Sequence, residues 1–246
     1  MPIVDDARAE TIRYHESYYS QHSLFDQDSW LKAPDQYLLA LAERQAPLWR
    51  ELTGGTEARP LKVVDLGAGV GRNAIPLACF LKENSIPALI DCLDLLPLSI
   101  DKLERYAEKY GVTEYIKGIV QDNDDFQPTT EYDLIIAIST LEHCSSKESL
   151  QALLQRLEKA LAPQGHLIVE ITTDRQVRAV EDNSLVETLV ETPLEKSEVE
   201  ALFQATLAPL QLVLEENFPY QEKIDLNGRK VFWSSCQTSK IFKKDA

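Results

Sequence analysis

Apolar positions along this chain come in two spacings. Short, mostly apolar runs at Leu61-Lys62-Val63-Val64 and Ala88 to Leu93, bounded by turn residues, predict buried strands. Tyr115 to Val120 predicts another. Between them the spacing is helical. Leu150, Leu153, Leu154, Leu157 and Leu161 share one face of a helix predicted over 147–161, as a sheet-covering helix requires. Ser145 with Glu148 forms a capping box at its start, and Pro163 and Gly165 stop it. A second capping box, Ser197 with Glu200, opens a helix through Val199, Leu202 and Phe203 to about Leu207. Arg72 to Leu81 also predicts a helix. Strands alternating with helices predict an α/β fold on a doubly wound parallel sheet.

The two ends differ from this core. Ala7 to Tyr19 and Asp35 to Trp49 predict helices, with Pro34 placed where a first helical turn tolerates it. A polar loop with aromatics, Phe25 to Leu31, joins them, and Thr53-Gly54-Gly55-Thr56 breaks the chain before the first core strand. Residues 1–55 are thus expected to form a helical cap on a domain of residues 56–246. At the other end, strands over 210–217 and 230–242 flank a turn at Asn227-Gly228. Residues 174–196 are acidic and poorly patterned; Val186 to Val190 suits a strand or a helix equally.

The first core strand ends in an acid, Asp65, and turns through Gly67, Gly69 and Gly71 into a helix. A strand, a glycine turn and a helix place a ligand at the helix N-terminus, where backbone N–H groups are free. The dinucleotide fingerprint G-x-G-x-x-G fails at its third position, which is Arg72. Asp65 would also repel a pyrophosphate. No G-x-x-x-x-G-K-[ST] occurs, which excludes a P-loop. A ligand with positive charge near the turn suits Asp65. S-adenosylmethionine has a sulfonium and an ammonium, and its carboxylate can face the helix. A tight turn with no ligand is the plainer alternative.

Two further strand ends sharpen this. The second strand ends at Asp94, about twenty residues past the turn, where an acid can accept both ribose hydroxyls. The third runs into Asp122-Asn123, where an acid or amide could take the adenine exocyclic amine. Each acid alone is accounted for as a solvated loop carboxylate; three in order at strand ends are not.

On these residues the chain resembles the class I S-adenosylmethionine-dependent methyltransferases. The first motif is Val63-Val64-Asp65-Leu66-Gly67-Ala68-Gly69-Val70-Gly71-Arg72 and the second Cys92-Leu93-Asp94-Leu95. Gln121 to Phe126, Tyr132 to Ser139 and Leu157 to Ile171 are similar to the later motifs. The resemblance is strong over about residues 60–175. It implies a mostly parallel seven-stranded sheet of Rossmann-like type, with the last strands as an antiparallel edge. It also implies a cofactor site in which Asp65, Gly67, Ala68, Gly69 and Gly71 approach the methionine part. Asp94 would hold the ribose, Asp122 and Asn123 the adenine, Leu95 would pack on the adenine ring, and Ile138 would lie under the cofactor.

Composition narrows the setting. The apolar fraction of 44% is near the globular norm. No stretch approaches transmembrane length, and Met1-Pro2-Ile3-Val4-Asp5-Asp6 is no signal peptide, so a cytoplasmic enzyme without a membrane partner is expected. The four cysteines form no C-x-x-C pair, and Cys79 and Cys92 fall in apolar segments as buried free thiols. A formal charge of −15 opposes partners held through phosphates, so no nucleic acid is expected, and the methyl acceptor is read as a small molecule.

Methyl transfer needs alignment more than a protein nucleophile. A base is needed only for a protonated acceptor, and His143, in Thr140-Leu141-Glu142-His143-Cys144 after the fourth strand, is the candidate. A loop histidine held by backbone is the alternative. This segment resembles the Glu-His pair of ubiquinone-pathway O-methyltransferases and of a small RNA 3′-end methyltransferase group, where E-x-x-E-H holds a divalent metal. Here Ser139 replaces the first Glu, and no metal is expected. Tyr18, Tyr19 and Trp30 in the N-terminal segment are candidate substrate contacts, with core packing as the alternative. His15 and His22 lack a third metal ligand at short spacing. A nicotinamide-dependent oxidoreductase and a non-catalytic S-adenosylmethionine-binding protein are the functional alternatives. Arg72 and Asp65 oppose the first; turnover separates the second.

Overall fold

The computed structural model describes residues 2–54, 58–226 and 228–246. Two helices lead the chain, α1 (Pro2–Gln21) and α2 (Gln36–Gly54), linked by a loop with a 3-10 turn at Trp30–Lys32. The core follows as β1 (Leu61–Leu66), α3 (Ala74–Glu83), β2 (Ala88–Asp94), α4 (Pro97–Lys109), β3 (Ile116–Val120), β4 (Tyr132–Ile138), α5 (Lys147–Ala160), β5 (Leu161–Ala179) and α6 (Lys196–Thr206). The strands β6 (Gln211–Leu226) and β7 (Arg229–Lys243) close the sheet. The seven strands lie in the order β3-β2-β1-β4-β5-β7-β6. β1 pairs in parallel with β2 and β4, while β7 runs antiparallel between β5 and β6. This is the doubly wound, mostly parallel sheet expected.

Strand alternation splits the core in two. Leu61, Val63, Ile90, Leu134 and Ile136 face α2, α3 and α4 on one side. Val64, Leu66, Ile135, Ala137 and Val169 face α5 and α6 on the other. Both faces of the central strands β1 and β4 are buried, which is why they are mostly apolar. The order reverses between β1 and β4, so their carboxyl ends open a crevice at the switch point.

Local starts and stops differ from the sequence reading in instructive ways. α5 is capped by Ser146, whose hydroxyl accepts from Ser149 N at 3.0 Å, because the Ser145 backbone is already tied to Asp124 at 3.0 Å. The box at α6 is Glu195 with Glu198; Glu200 points away to Lys240 at 2.6 Å. A glutamate supplies the cap's acceptor as well as a serine does. Asp35 lies outside α2 as its cap, accepting from Leu38 N at 2.8 Å, and Pro34 precedes it. α3 begins at Ala74 rather than Arg72, since 69–73 complete the turn. α5 ends at Ala160, and Pro163 and Gly165 lie inside β5 instead of stopping the helix.

The terminal hairpin is longer than expected. β5 passes a register shift after Thr173 and continues to Ala179, which gives β7 a partner along Val231 to Ser234. β6 follows β7 along its whole length. Of the expected turn, Asn227 lies outside the described residues, as do Gly55 and Thr56 of the break before β1. Cys92 is buried as expected, whereas Cys79 is half-buried on the outer side of α3.

Candidate active site

The turn after β1 is shaped by its glycines. Gly67 and Gly69 sit at φ +64° and +55°, a region costly for any residue with a Cβ. A Cβ at Gly67 would overlap the Thr140 hydroxyl, and one at Gly69 would lie 2.7 Å from the Tyr19 hydroxyl. Ala68 is buried and donates its N–H to Leu93 O at 2.8 Å, tying the turn to β2. Gly71 N returns to Ala68 O at 3.0 Å.

Asp65 ends the strand 2% exposed, with Oδ2 buried and unpartnered. Burial pushes its pKa up to about 8; Arg72 offsets this in part and Asp94 adds to it. Asp94 accepts from Gly69 N at 2.8 Å and from Leu96 N at 2.9 Å. Burial raises its pKa as well, against those two N–H groups. Each Asp94 oxygen keeps a further lone pair for a ligand hydroxyl. Leu95, next in the chain, is 37% exposed, and Ile138 is buried at the end of β4.

Asp122 and Asn123 follow β3 in a 3-10 turn. Asp122 Oδ1 accepts from Asp124 N at 3.0 Å, and its Oδ2 pairs with Arg8 of α1. Asn123 donates to the Thr140 hydroxyl at 2.6 Å. Both are therefore engaged by protein groups, one of them on the N-terminal helix.

α1 crosses this crevice. Its Arg8 holds Asp122 at one end, and its Tyr19, 5% exposed, stands over Gly69 at the other. Tyr18 stacks on Trp30 at 5.2 Å and accepts from its N–H at 3.2 Å. Arg72 lies 5.6 Å over the Trp30 ring. Tyr18, Tyr19 and Trp30 are thus brought together on the glycine-turn side of the sheet.

His143 ends a 3-10 turn after β4, its Nδ1 3.4 Å from Glu191 Oε1. Burial alone would lower its pKa; Glu191 and Glu142 outweigh burial and raise it. Ser139, at the position of the missing glutamate, donates its hydroxyl to Glu170 at 2.9 Å. No group of three potential metal ligands comes together among the described residues.

Sequence reasoning missed Arg8, Glu191 and Thr140. Glu191 comes from the segment without periodicity, and Arg8 is one charge among many on an amphipathic helix. Neither bears a local signal. Thr140 had one: a side chain just past a core strand, in register with a glycine turn.

An acid, a glycine cradle and ordered strand-end acids at the switch point define an α/β enzyme of the methyl-transferring class. Residues 64–167 match the family model described as a methyltransferase domain. This methyltransferase domain agrees with the resemblance to the class I S-adenosylmethionine-dependent methyltransferases read from the motifs. No curated protein matches it. Among solved structures it is similar to TehB from Haemophilus influenzae, 16% identical with a TM-score of 0.59 over 89% of this chain and 64% of TehB. A methyltransferase from Methanosarcina mazei is 11% identical, with a TM-score of 0.53 over 76% of this chain and 93% of that one. A structure concerned with converting a disulfide bond into a thioacetal group during echinomycin biosynthesis is 16% identical, with a TM-score of 0.57 over 92% and 90%. At these identities the likeness is one of fold.

S-adenosylmethionine is the cofactor. The residues present fit it. The orphaned Asp65 oxygen suits the ammonium, and Asp94, with two backbone N–H groups on it, keeps lone pairs for the ribose hydroxyls. When bound, it supplies an activated methyl group on sulfur. No described helix is long and apolar enough to cross a membrane.

Proposed function

We propose that this enzyme methylates a small-molecule acceptor in a space roofed by α1, with residues 1–55 as the cap and 56–246 as the catalytic domain. The carrying observation is the position of α1. Tyr19 stands over Gly69 while the His15 ring lies 5.9 Å from that of His143. A helix so close to the turn excludes bulk water and large acceptors, which favours alignment of a small one. The charge of −15 argues against partners held through phosphates, nucleic acid and anionic membrane surfaces alike, and we read the enzyme as cytoplasmic.

In this reading Asp65 takes the ammonium, Gly67, Ala68, Gly69 and Gly71 the methionine backbone, and Asp94 the ribose. Leu95 and Ile138 flank the adenosine. Asp122 and Asn123 reach the adenine once Arg8 gives way. Tyr18, Tyr19 and Trp30 line the acceptor side, and His143 is the candidate base, with no metal involved.

Calorimetry with S-adenosylhomocysteine tests the cofactor half. Asp94→Ala should weaken binding by about 2–4 kcal/mol, since hydrogen bonds to a charged group contribute about 1.5–3 each. Unchanged affinity would remove the ribose assignment. Release of S-adenosylhomocysteine from S-adenosylmethionine across hydroxyl, amine and thiol acceptors tests the other half.

A further inference from the structure

Beyond the carboxyl end of β4, ionisable side chains from three separate segments converge. Glu191 arrives from the irregular stretch between β5 and α6 and is 6% exposed. One of its oxygens lies 3.4 Å from His143 Nδ1, and the other accepts from Arg8 Nε at 3.3 Å. Arg8 also donates to the His143 carbonyl at 2.8 Å, fixing the histidine's backbone. The next residue, Thr192, donates its hydroxyl to Cys144 O, so the two segments are tied side by side. From α1, the His15 ring meets His143 edge-on at 5.9 Å, and its Nδ1 is buried without a partner.

We propose that Glu191 positions His143 as a proton acceptor and that His15 hydrogen-bonds the acceptor molecule, so that the site selects a hydroxyl nucleophile. This rests on the methyltransferase reading with His143 beside the acceptor. With Nδ1–H directed at Glu191, Nε2 presents its lone pair. The acceptor oxygen forms the bond to the methyl carbon. The carbon–sulfur bond breaks with its electron pair kept by sulfur, and the hydroxyl proton passes to His143 Nε2. The resulting imidazolium is stabilised by the Glu191 carboxylate, the role an acid plays behind a catalytic histidine elsewhere. A thiol ionises appreciably by itself near neutral pH, and an amine can shed its proton to water before attack. A hydroxyl depends most on such a base.

The charged groups around His143 are of both signs, and the carboxylates prevail. Arg8 and His15 face it from α1, Glu191 from the loop, Glu142 from its own turn, and Asp94 lies at the end of β2. The carboxylates raise its pKa over the effects of burial and Arg8. Burial, with His143 adding, lowers His15 to about 4, so His15 stays neutral and can both donate and accept.

The chain has four histidines, so ring titration by NMR on the full protein resolves the pair without any acceptor. His143 should titrate above the ordinary value of about 6.5, and His15 should stay neutral down to about pH 5. Glu191→Gln should lower the His143 midpoint by about one pH unit, a tenfold change in proton affinity, and Glu191→Asp by less. An unmoved midpoint in Glu191→Gln overturns the pairing. Should that variant fail to fold, His143→Gln gives an independent reading: the His15 midpoint must rise once the neighbouring charge is gone, and a constant one overturns the cluster. With S-adenosylmethionine, a catechol, an alkylamine and an arylthiol serve as probes. Catechol turnover should fall on the order of tenfold in Glu191→Gln, with the acid limb of kcat/KM moved to lower pH. Turnover of the amine or thiol but not the catechol overturns the hydroxyl assignment and leaves methyl transfer standing. Loss of cofactor binding in calorimetry would instead defeat the methyltransferase reading, while the titration still decides the Glu191–His143 pair.

Discussion

Asp65 shows how one residue can be costly to the fold and useful to the site. Its carboxyl group is buried with an unpartnered oxygen, and its pKa is pushed up to about 8. The ordinary aspartate value is about 3.9, so the folded protein holds a proton there that the unfolded chain releases. Stability is therefore lost as pH rises between those two values, the opposite of a salt-bridged aspartate. Melting temperatures across pH 5 to 9 should fall more steeply in the wild type than in Asp65→Asn; parallel curves would dismiss the account. A ligand ammonium should favour the carboxylate, so binding of S-adenosylmethionine near pH 7.5 should release protons. Calorimetry in buffers of different ionisation enthalpy measures that release. Asp65 and the glycines after it were legible because strand end, acid and positive-φ turn are adjacent in the chain. Glu191 and Arg8 were not, because their meaning lies in contacts far along the chain: Glu191 with His143, 48 positions away, and Arg8 with the His143 carbonyl, 135 positions away.

Among the elements, α1 carries the largest functional consequence. It touches the crevice through Arg8 at Asp122, Tyr19 at Gly69 and His15 at His143. Arg8→Ala should lower stability by about 1–3 kcal/mol, since the buried Glu191 loses a donor. It should also free Asp122, so cofactor affinity should hold or rise while melting temperature falls. A parallel fall in both would show that Arg8 helps hold the cofactor. Hydrogen exchange should find α1 and the loop to Ala33 more protected with S-adenosylhomocysteine bound, and equal protection would refute a closing cap. The helix itself was visible in the sequence, though its aromatic positions alone did not decide between core and pocket. The structure brings both together: Tyr19 is 5% exposed, yet its hydroxyl stands over the turn, while Tyr14 remains 54% exposed.

At the scale of the molecule, the parallel half was readable and the antiparallel half only in outline. Buried parallel strands are mostly apolar runs, whereas β6 is an edge strand of mostly exposed residues that little distinguishes from loop. Its length is set by β7, and that of β7 by the continuation of β5 beyond Thr173. No local pattern encodes that dependence. The order β5-β7-β6 also governs how the protein comes off the ribosome. β5 has 19 residues, and its partner on that side, β7, is made only after α6 and β6. While α6 and β6 emerge, β5 must wait with one edge of backbone N–H and C=O groups unpaired, and β6 has nothing to pair with until β7 follows it. Such an edge is a template for other chains. A chain stopped at residue 228 should therefore carry the whole cofactor crevice and still self-associate, which light scattering of the truncated protein would reveal. The methyl-transferring half of the molecule is written first, and it is the fifteen-residue β7 that covers its open edge.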